Sequence, residues 1–151
     1  MWDVLERMGC HVERGPNGVT VTGPERLRGI DADFAEISDT ALTLAAIAPF
    51  AESPVRVRGI AHTRAQETDR VAAMTTELRA LGVPVDEHPD GWTISPAQPR
   101  GGEVNTYDDH RMAMSLAVLG LRTPGVVIRD PRCVAKTFPD FFDRFGRLVA
   151  G

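Results

Sequence analysis

The sequence predicts an α/β (α+β) fold in which helices pack against mixed sheets. Helical and strand patterns alternate along the 151 residues, and the segments 5–21 and 78–94 align without a gap. Gly9 aligns with Gly82, so the two copies lie 73 residues apart. Recurrence at such a period indicates that both copies form the same supersecondary structure.

Each copy of this repeat reads as a helix that ends at a glycine and is followed by two strands. The helices end at Gly9 and Gly82, since glycine is favoured just after the last helical turn. Pro-Asn-Gly at 16–18 and Pro-Asp-Gly at 89–91 predict tight turns between strands with alternating apolar residues. A β-hairpin is therefore expected after each helix.

A second pair of similar segments completes the unit. Asp39 and Asp109 each precede an apolar helical run, and aspartate is a favoured N-cap. Pro54 and Pro124 end these helices and lead into short strands at 55–57 and 126–128. Further helices are expected over 67–81 and 136–149. The order helix, strand, loop, helix and hairpin therefore recurs along the chain. Because the copies are cut unequally at the two ends, we expect the chain to be a fragment of a longer protein.

Composition limits the function classes. A net charge of −4 disfavours a protein that covers nucleic-acid phosphates by bulk charge. The apolar stretch 41–50 has half of the roughly 20 residues that a membrane helix needs. Cys10 and Cys133 stand far apart without a zinc-binding spacing. We expect a cytoplasmic chain without a zinc site or a disulfide framework.

Charged residues are concentrated where predicted helices begin. The segment 62–70 contains Arg64 and Arg70, and the segment 107–114 contains His110 and Arg111. A helix N-terminus favours anionic ligands, and arginine binds phosphate or carboxylate through paired hydrogen bonds. Acidic first-turn residues beside arginines are also common as surface ion pairs, so the pattern alone leaves both interpretations open.

Two further polar residues belong with these clusters. A helix-capping role explains Asp39 as well as a binding role does, and the default interpretation of Lys136 is a solvated surface lysine. Equivalent loops of a repeat gather on one face, which favours a joint site of two carboxylates and three cations. The aromatic residues after Lys136 have helical spacing and are expected to face the core: Phe138, Phe141, Phe142 and Phe145.

Three motifs occur in order along the chain: Glu-Thr-Asp-Arg at 67–70, Asp-His-Arg-Met-Ala-Met at 109–114 and Lys-Thr-Phe-Pro-Asp-Phe at 136–141. Together they resemble the motifs of the 5-enolpyruvylshikimate-3-phosphate synthase family, the 3-phosphoshikimate 1-carboxyvinyltransferases. The resemblance implies repeated βαβαββ units with mixed four-stranded sheets. It further implies that residues 1–151 are part of the C-terminal domain of a two-domain enzyme, with the N-terminal domain absent.

The resemblance also implies a reaction. Members transfer the enolpyruvyl (1-carboxyvinyl) group of phosphoenolpyruvate to the 5-hydroxyl of shikimate 3-phosphate and release phosphate, without metal or organic cofactor. By resemblance Asp39 is the base and Glu67 the proton donor. Arg70, Arg111 and Lys136 match the cations that hold phosphoenolpyruvate.

Shikimate 3-phosphate is expected near Asp39, His62 and Gln66. Many family members carry asparagine at the position of His62 and lysine at that of Gln66, and glutamine brings no charge. Because the other domain supplies further substrate-binding groups, the chain alone is expected to be inactive. Two alternatives stay open: a UDP-N-acetylglucosamine enolpyruvyl transferase, and a noncatalytic anion-binding module of the same fold.

Overall fold

A computed structural model describes residues 1–150. The helices are α1 (Trp2–Arg7), α2 (Ala41–Ile47), α3 (Arg70–Ala80), α4 (His110–Gly120) and α5 (Phe141–Ala150). The strands are β1 (His11–Gly15), β2 (Gly18–Thr22), β3 (Asp31–Asp33), β4 (Val55–Arg58), β5 (Val85–His88), β6 (Gly91–Ile94), β7 (Gly102–Val104) and β8 (Val126–Ile128). Short 3-10 helices span Ala35–Thr40, Ala48–Phe50, Ala61–Ala65 and Pro131–Lys136. None of the helices within residues 1–150 is long and apolar enough to cross a membrane.

The central sheet has four strands in the order β3-β4-β6-β5. Strands β3 and β4 are parallel, whereas β6 is antiparallel to both β4 and β5. Residues 31–94 therefore form one complete βαβαββ unit, called the complete unit below. This confirms the predicted α/β fold with helices on a mixed four-stranded sheet. The hairpin β1–β2 and the parallel pair β7–β8 form two further two-stranded sheets.

Both predicted hairpins form. Gly15 pairs with Gly18 in the first, and His88 pairs with Gly91 in the second. The glycines that end the preceding helices adopt positive φ angles, 98° at Gly9 and 85° at Gly82. Only glycine adopts this conformation freely, so the two glycines end α1 and α3 as the sequence predicts.

The core lies between the central sheet and the helices that cover it. Trp92 of β6 is fully buried, and its indole N–H donates to the carbonyl of Val71 at 2.9 Å. This bond satisfies the one polar group of the ring, so the ring is buried without an unpaired donor. Trp92 thus ties the hairpin β5–β6 to the start of α3, which carries part of the charged cluster described below.

Two predicted helix starts are wrong. Helix α3 begins at Arg70 rather than Glu67, because the Asp69 side chain caps it by accepting from the Ala72 N–H at 2.9 Å. The predicted helix over 136–149 begins instead at Phe141, after a 3-10 helix that ends at Lys136. Pro139 disfavours the helical conformation for the residue before it, which separates the two helices.

The expectation that the phenylalanines after Lys136 face the core is also wrong. Helix α5 has no buried residue, and Phe138 is 39% exposed. The rings pack on one another instead, with centroids 5.0 Å apart for Phe141 and Phe142 and 5.3 Å for Phe141 and Phe145. Part of the apolar face of α5 borders an open groove that Val126 and Ile128 of β8 also line, and Val149 stays 56% exposed.

The repeat provides a matched test of hairpin packing. A Cβ atom at Gly91 would lie 2.1 Å from the Val57 carbonyl oxygen, whereas one at the equivalent Gly18 would have nothing within 4 Å. Both glycines have similar φ angles, 150° and 156°. We predict that Gly91→Ala lowers the free energy of unfolding by about 1–3 kcal/mol more than Gly18→Ala, because only the former overpacks the sheet. Urea unfolding of dilute protein measures this difference, and equal losses would contradict the described packing.

Candidate functional site

Several polar segments that are distant in sequence meet beside the N-termini of α3 and α4. They are the end of the 3-10 helix Ala35–Thr40, the loop before α3 and the first turn of α4. Together they enclose a cavity of about 260 Å³. Its lining consists of polar side chains: Asp39, Gln66, Glu67, Arg70, His110 and Arg111. Five of these six are charged or titratable, which makes the cavity the candidate site.

Arg70 is the centre of the cluster. Its side chain is only 5% exposed, and its Nε donates to Asp109 Oδ2 at 2.7 Å. Its Nη2 donates to Glu67 Oε2 at 2.8 Å, and its Nη1 donates to the amide oxygen of Gln66. Asp39 Oδ1 lies 3.7 Å from the same Nη1. One buried guanidinium therefore contacts groups from three separate segments.

Asp109 connects Arg70 to α4. It caps the helix as predicted, because its Oδ1 accepts from the Arg111 N–H at 2.8 Å. The side chain is fully buried, and a buried carboxylate needs a cation and hydrogen bonds to offset lost hydration. Sequence reasoning identified the cap but missed the ion pair with Arg70, since the two residues lie on different helices.

Asp39 does not cap α2. The N-cap residue of α2 is Thr40, which makes no side-chain capping bond, so this expectation is wrong. The Asp39 carboxylate instead accepts from Arg111 Nη2 at 2.8 Å, and its backbone carbonyl accepts from Arg111 Nη1 at 3.3 Å. Asp39 is 57% exposed and therefore open to a ligand from solvent.

Lys136 reaches the cluster through Glu67. Its ammonium group donates to Glu67 Oε1, although Lys136 itself is 63% exposed. This contact lowers the pKa of Glu67 below its usual value, while burial and the charge of Asp109 act in the opposite direction. His110 Nδ1 lies 3.5 Å from Glu67 Oε2 and has no hydrogen-bond partner. Glu67 therefore bonds to two cations, Lys136 and Arg70.

A second buried carboxylate, Glu77, fixes the loop that leads to α4. It accepts from the Asn105 backbone N–H at 3.0 Å and from the Tyr107 hydroxyl at 2.6 Å. Burial and the nearby Glu77 raise the pKa of Tyr107 to about 12. Tyr107 and Asp108 both have φ of 56°, an uncommon backbone conformation that these bonds help to hold. No local pattern predicts this role, because Glu77 resembles an ordinary helical glutamate.

Some predicted binding residues lie outside the cavity. Arg64 forms ion pairs with Asp69 at 2.9 Å and with Glu87 at 2.7 Å. Its guanidinium therefore has a structural role and is not free to bind an anionic ligand. His62 is exposed, and its Nε2 lies 2.9 Å from the Ser38 hydroxyl, next in sequence to Asp39. His62 therefore lies at the edge of the site, whereas Gln66 lines it.

The cluster has one group of side chains with metal-ligand geometry. Ligand atoms of Glu67, Asp109 and His110 lie within 4.8 Å of one another. The guanidinium of Arg70 donates to both carboxylates, so a fixed cation already balances their charge. The donor set is thus better suited to an organic anion held by arginine and lysine.

A larger groove of about 650 Å³ lies elsewhere on the surface, lined largely by proline and alanine. Its charged residues are Glu25, Arg26 and Arg122. None of the three forms a side-chain hydrogen bond or ion pair within residues 1–150, so they are not preorganised for chemistry. The smaller cavity is therefore the stronger candidate despite its size.

Comparison with known proteins gives concordant matches. Residues 1–145 match the family model described as EPSP synthase (3-phosphoshikimate 1-carboxyvinyltransferase). A 3-phosphoshikimate 1-carboxyvinyltransferase of Nostoc punctiforme is 53% identical over 99% of this chain and 35% of its own length. One of Idiomarina loihiensis is 47% identical over 97% of this chain and 34% of its own length. The chain thus spans about a third of the length of these curated relatives.

Solved structures agree with these matches. An EPSP synthase from Acinetobacter baumannii has a TM-score of 0.86 and 28% identity, and the match covers 97% of this chain and 38% of that one. The enolpyruvyl transferase NikO from Streptomyces tendae has a TM-score of 0.77 and 26% identity, over 97% of this chain and 34% of that one.

The buried ion pair gives a stability prediction. Arg70→Leu leaves the carboxylate of Asp109 buried without its cation and should lower the free energy of unfolding by about 3–5 kcal/mol. The control is Arg129→Leu, which removes an arginine that is 61% exposed and pairs with Glu103. That surface pair is expected to contribute less than about 1 kcal/mol. Urea unfolding compares the two variants, and equal losses would show that the Arg70 pair does not hold the site together.

Proposed function

The chain belongs to the EPSP synthase family, and from this premise we propose that its cavity is the phosphoenolpyruvate-binding part of a 3-phosphoshikimate 1-carboxyvinyltransferase site. The complete reaction transfers the 1-carboxyvinyl group of phosphoenolpyruvate to the 5-hydroxyl of shikimate 3-phosphate and releases phosphate. Residues 1–151 are assigned to the C-terminal domain, and the curated relatives are about three times as long as the segment they share with it.

One observation carries the proposal: two arginines and two partly exposed carboxylates line one cavity, and a third cation, Lys136, bonds to one of these carboxylates. Arg70, Arg111 and Lys136 each bond to Asp39 or Glu67 in the free chain. Phosphoenolpyruvate carries a phosphate and a carboxylate, both of which arginine and lysine bind well. The substrate anions would therefore replace Asp39 and Glu67 as partners of the three cations.

The two displaced carboxylates have the properties that the chemistry requires. Addition of the 5-hydroxyl to carbon 2 of phosphoenolpyruvate needs a base at the hydroxyl and an acid at the methylene carbon. Asp39 is assigned as the base and Glu67 as the acid. A tetrahedral intermediate forms, and it then loses phosphate together with a proton from the new methyl group, which restores the vinyl double bond.

The ion pair between Lys136 and Glu67 couples binding to this acid. In the free chain the ammonium of Lys136 lowers the pKa of Glu67, and an ionised carboxylate has no proton to donate. Transfer of Lys136 to the substrate phosphate removes the main cause of this lowering. Burial and Asp109 then raise the pKa of Glu67, so proton donation becomes available when substrate is bound.

The shikimate 3-phosphate site is proposed beside Asp39, His62 and Gln66. Gln66 lines the cavity and His62 lies at its edge, close enough to bond Ser38. Neither brings a fixed cation to the phosphate of this substrate. We assign the further cations that this phosphate needs, and the exclusion of water, to the additional sequence of the longer relatives, which includes the N-terminal domain. We therefore expect no turnover from the 151 residues alone.

A noncatalytic anion-binding module is the second candidate, since the cavity holds fixed cations whether or not chemistry follows. Such a module needs cations but no acid and base beside them. The curated relatives carry the shikimate enzyme's name, which supports that substrate over UDP-N-acetylglucosamine.

Phosphoenolpyruvate binding tests the proposal directly. We predict that a ³¹P NMR titration detects binding, and that Arg111→Gln or Lys136→Gln weakens it about tenfold to a hundredfold, because a charged hydrogen-bond partner is lost. Arg129→Gln removes an exposed arginine outside the cavity and should leave the affinity unchanged. With phosphoenolpyruvate and shikimate 3-phosphate both present, the unchanged chain should release no more phosphate than the Glu67→Gln variant does.

Equal weakening by Arg129→Gln, or the absence of binding at millimolar substrate, would reject the cavity as the phosphoenolpyruvate site. If inorganic phosphate bound as tightly as phosphoenolpyruvate, the module without substrate specificity would be favoured. Turnover that Glu67→Gln abolishes would instead show that the chain assembles a working site by itself.

A further inference from the structure

Glu67, the proposed proton donor, lies in a segment with little backbone support. A 3-10 helix ends at Ala65 and α3 begins at Arg70, so no regular element covers residues 66–69. The backbone N–H groups of residues 67–69 donate to no backbone or side-chain acceptor within residues 1–150. The position of Glu67 therefore depends on side-chain contacts, either those of its own carboxylate or those that fix the segment around it.

The contacts of the carboxylate itself are not available throughout the proposed reaction. In the free chain Arg70 and Lys136 both bond to Glu67. Under the proposed function these cations turn to the substrate anions, which leaves Glu67 without the two cations that hold it. A group that fixes Glu67 with and without substrate must therefore lie outside the cavity, where the substrate does not compete for it.

Arg64 is such a group. It does not line the cavity, and its side chain is 27% exposed. Its Nη1 donates to both carboxylate oxygens of Asp69, at 2.9 and 3.1 Å. This contact joins the two ends of the segment 64–69, so Gln66 and Glu67 lie within a closed loop. Closure of a short loop removes conformational freedom that the residues inside it would otherwise keep.

The other two nitrogens of Arg64 attach this closed loop to the end of the hairpin β5–β6. Its Nε donates to the Pro89 carbonyl at 3.0 Å. Its Nη2 donates to the His88 carbonyl at 2.8 Å and to Glu87 Oε1 at 2.7 Å. Because β6 of this hairpin pairs with β4, the loop is fixed to the central sheet.

We propose that Arg64 is a positioning residue for Glu67. Its guanidinium closes the loop 64–69 and fixes this loop to the hairpin β5–β6, so that the Glu67 carboxylate stays at the cavity with or without substrate. Lysine has the same charge on a single nitrogen and cannot make both sets of bonds. The role of Glu67 as proton donor rests on the proposed function, whereas the fixing of the loop does not.

Backbone order parameters from ¹⁵N NMR relaxation test the proposal in the free chain. Residues 66–68 should have values of about 0.85 in the unchanged chain, as in rigid backbone, and below about 0.6 in Arg64→Gln. Arg64→Lys should lower them as far, because it keeps the charge without the planar group. Arg79→Gln is the matched control, because Arg79 ties the last turn of α3 to the Val85 carbonyl at 2.7 Å and leaves the loop alone.

Asp69→Asn separates closure of the loop from capping of α3. Asparagine caps a helix about as well as aspartate, but its amide offers one oxygen and no charge to Arg64. The backbone chemical shifts of residues 70–73 should therefore stay helical, while the order parameters of residues 66–68 fall. This variant also decides the question if Arg64→Gln does not fold.

Phosphoenolpyruvate distinguishes positioning from general damage to the cavity. Arg64→Gln keeps the three cations, so the affinity should fall less than about threefold, against about tenfold or more for Arg111→Gln. At saturating phosphoenolpyruvate, residues 66–68 should stay rigid in the unchanged chain and mobile in Arg64→Gln. If the unchanged chain binds no phosphoenolpyruvate, the proposed function fails, whereas the measurements on the free chain still decide the role of Arg64.

Three results would overturn the proposal. Order parameters that stay near about 0.85 in Arg64→Gln would show that the contacts of the Glu67 carboxylate hold the loop by themselves. An equal fall in Arg79→Gln would show that any loosening of α3 against the hairpin has the same effect. A rigid loop in Arg64→Lys would show that charge alone is sufficient, which would reject closure by the guanidinium.

Discussion

The ion pair between Arg70 and Asp109 is the contact on which the candidate site depends. It joins the first residue of α3 to the N-cap of α4, and both side chains are almost fully withdrawn from water. Such a pair is tolerated only when further hydrogen bonds satisfy its remaining atoms. Glu67 and Gln66 accept hydrogen bonds from the Arg70 guanidinium, and the Arg111 N–H donates to the Asp109 carboxylate. The relative position of two helix starts is thereby fixed before any ligand arrives.

Around this fixed pair the more exposed groups are exchangeable. Asp39 is 57% exposed and pairs with Arg111, while Lys136 is 63% exposed and pairs with Glu67. Pairs of this kind contribute little stability, because water and salt compete with them. Substrate anions can therefore displace the carboxylates at small cost. The site thus has a rigid centre, the Arg70–Asp109 pair, surrounded by more exposed cations. The carboxylates that pair with these cations in the free chain lie where the proposed substrate anions would bind.

Local and periodic features of the sequence predicted much of the fold. The hairpin turns, the helix-ending Gly9 and Gly82 and the cap at Asp109 depend on residues close in sequence, so pattern alone identified them. The three-residue strands β3 and β7 are too short to show alternation, and no individual prediction covered them.

The failures concern long-range contacts. Asp39 has the sequence context of a cap, but Arg111 from another helix binds it. The phenylalanines of α5 have core spacing, but none of them is buried. Glu77 and the Arg70–Asp109 pair carry no local signal because each links segments about 30 or more residues apart.

The central claim is that substrate binding takes Lys136 from Glu67, and the pKa of Glu67 reports this most directly. In the free chain the pKa lies below the ordinary value of 4.5, so the carboxylate is ionised and its ion pair stabilises the fold above that pH. This contribution is lost as the pH falls through the lowered pKa. A ¹³C NMR titration of the Glu67 carboxyl carbon with saturating phosphoenolpyruvate should show that its pKa has risen. An unchanged pKa with bound substrate would mean that Lys136 stays on Glu67, which would contradict the account.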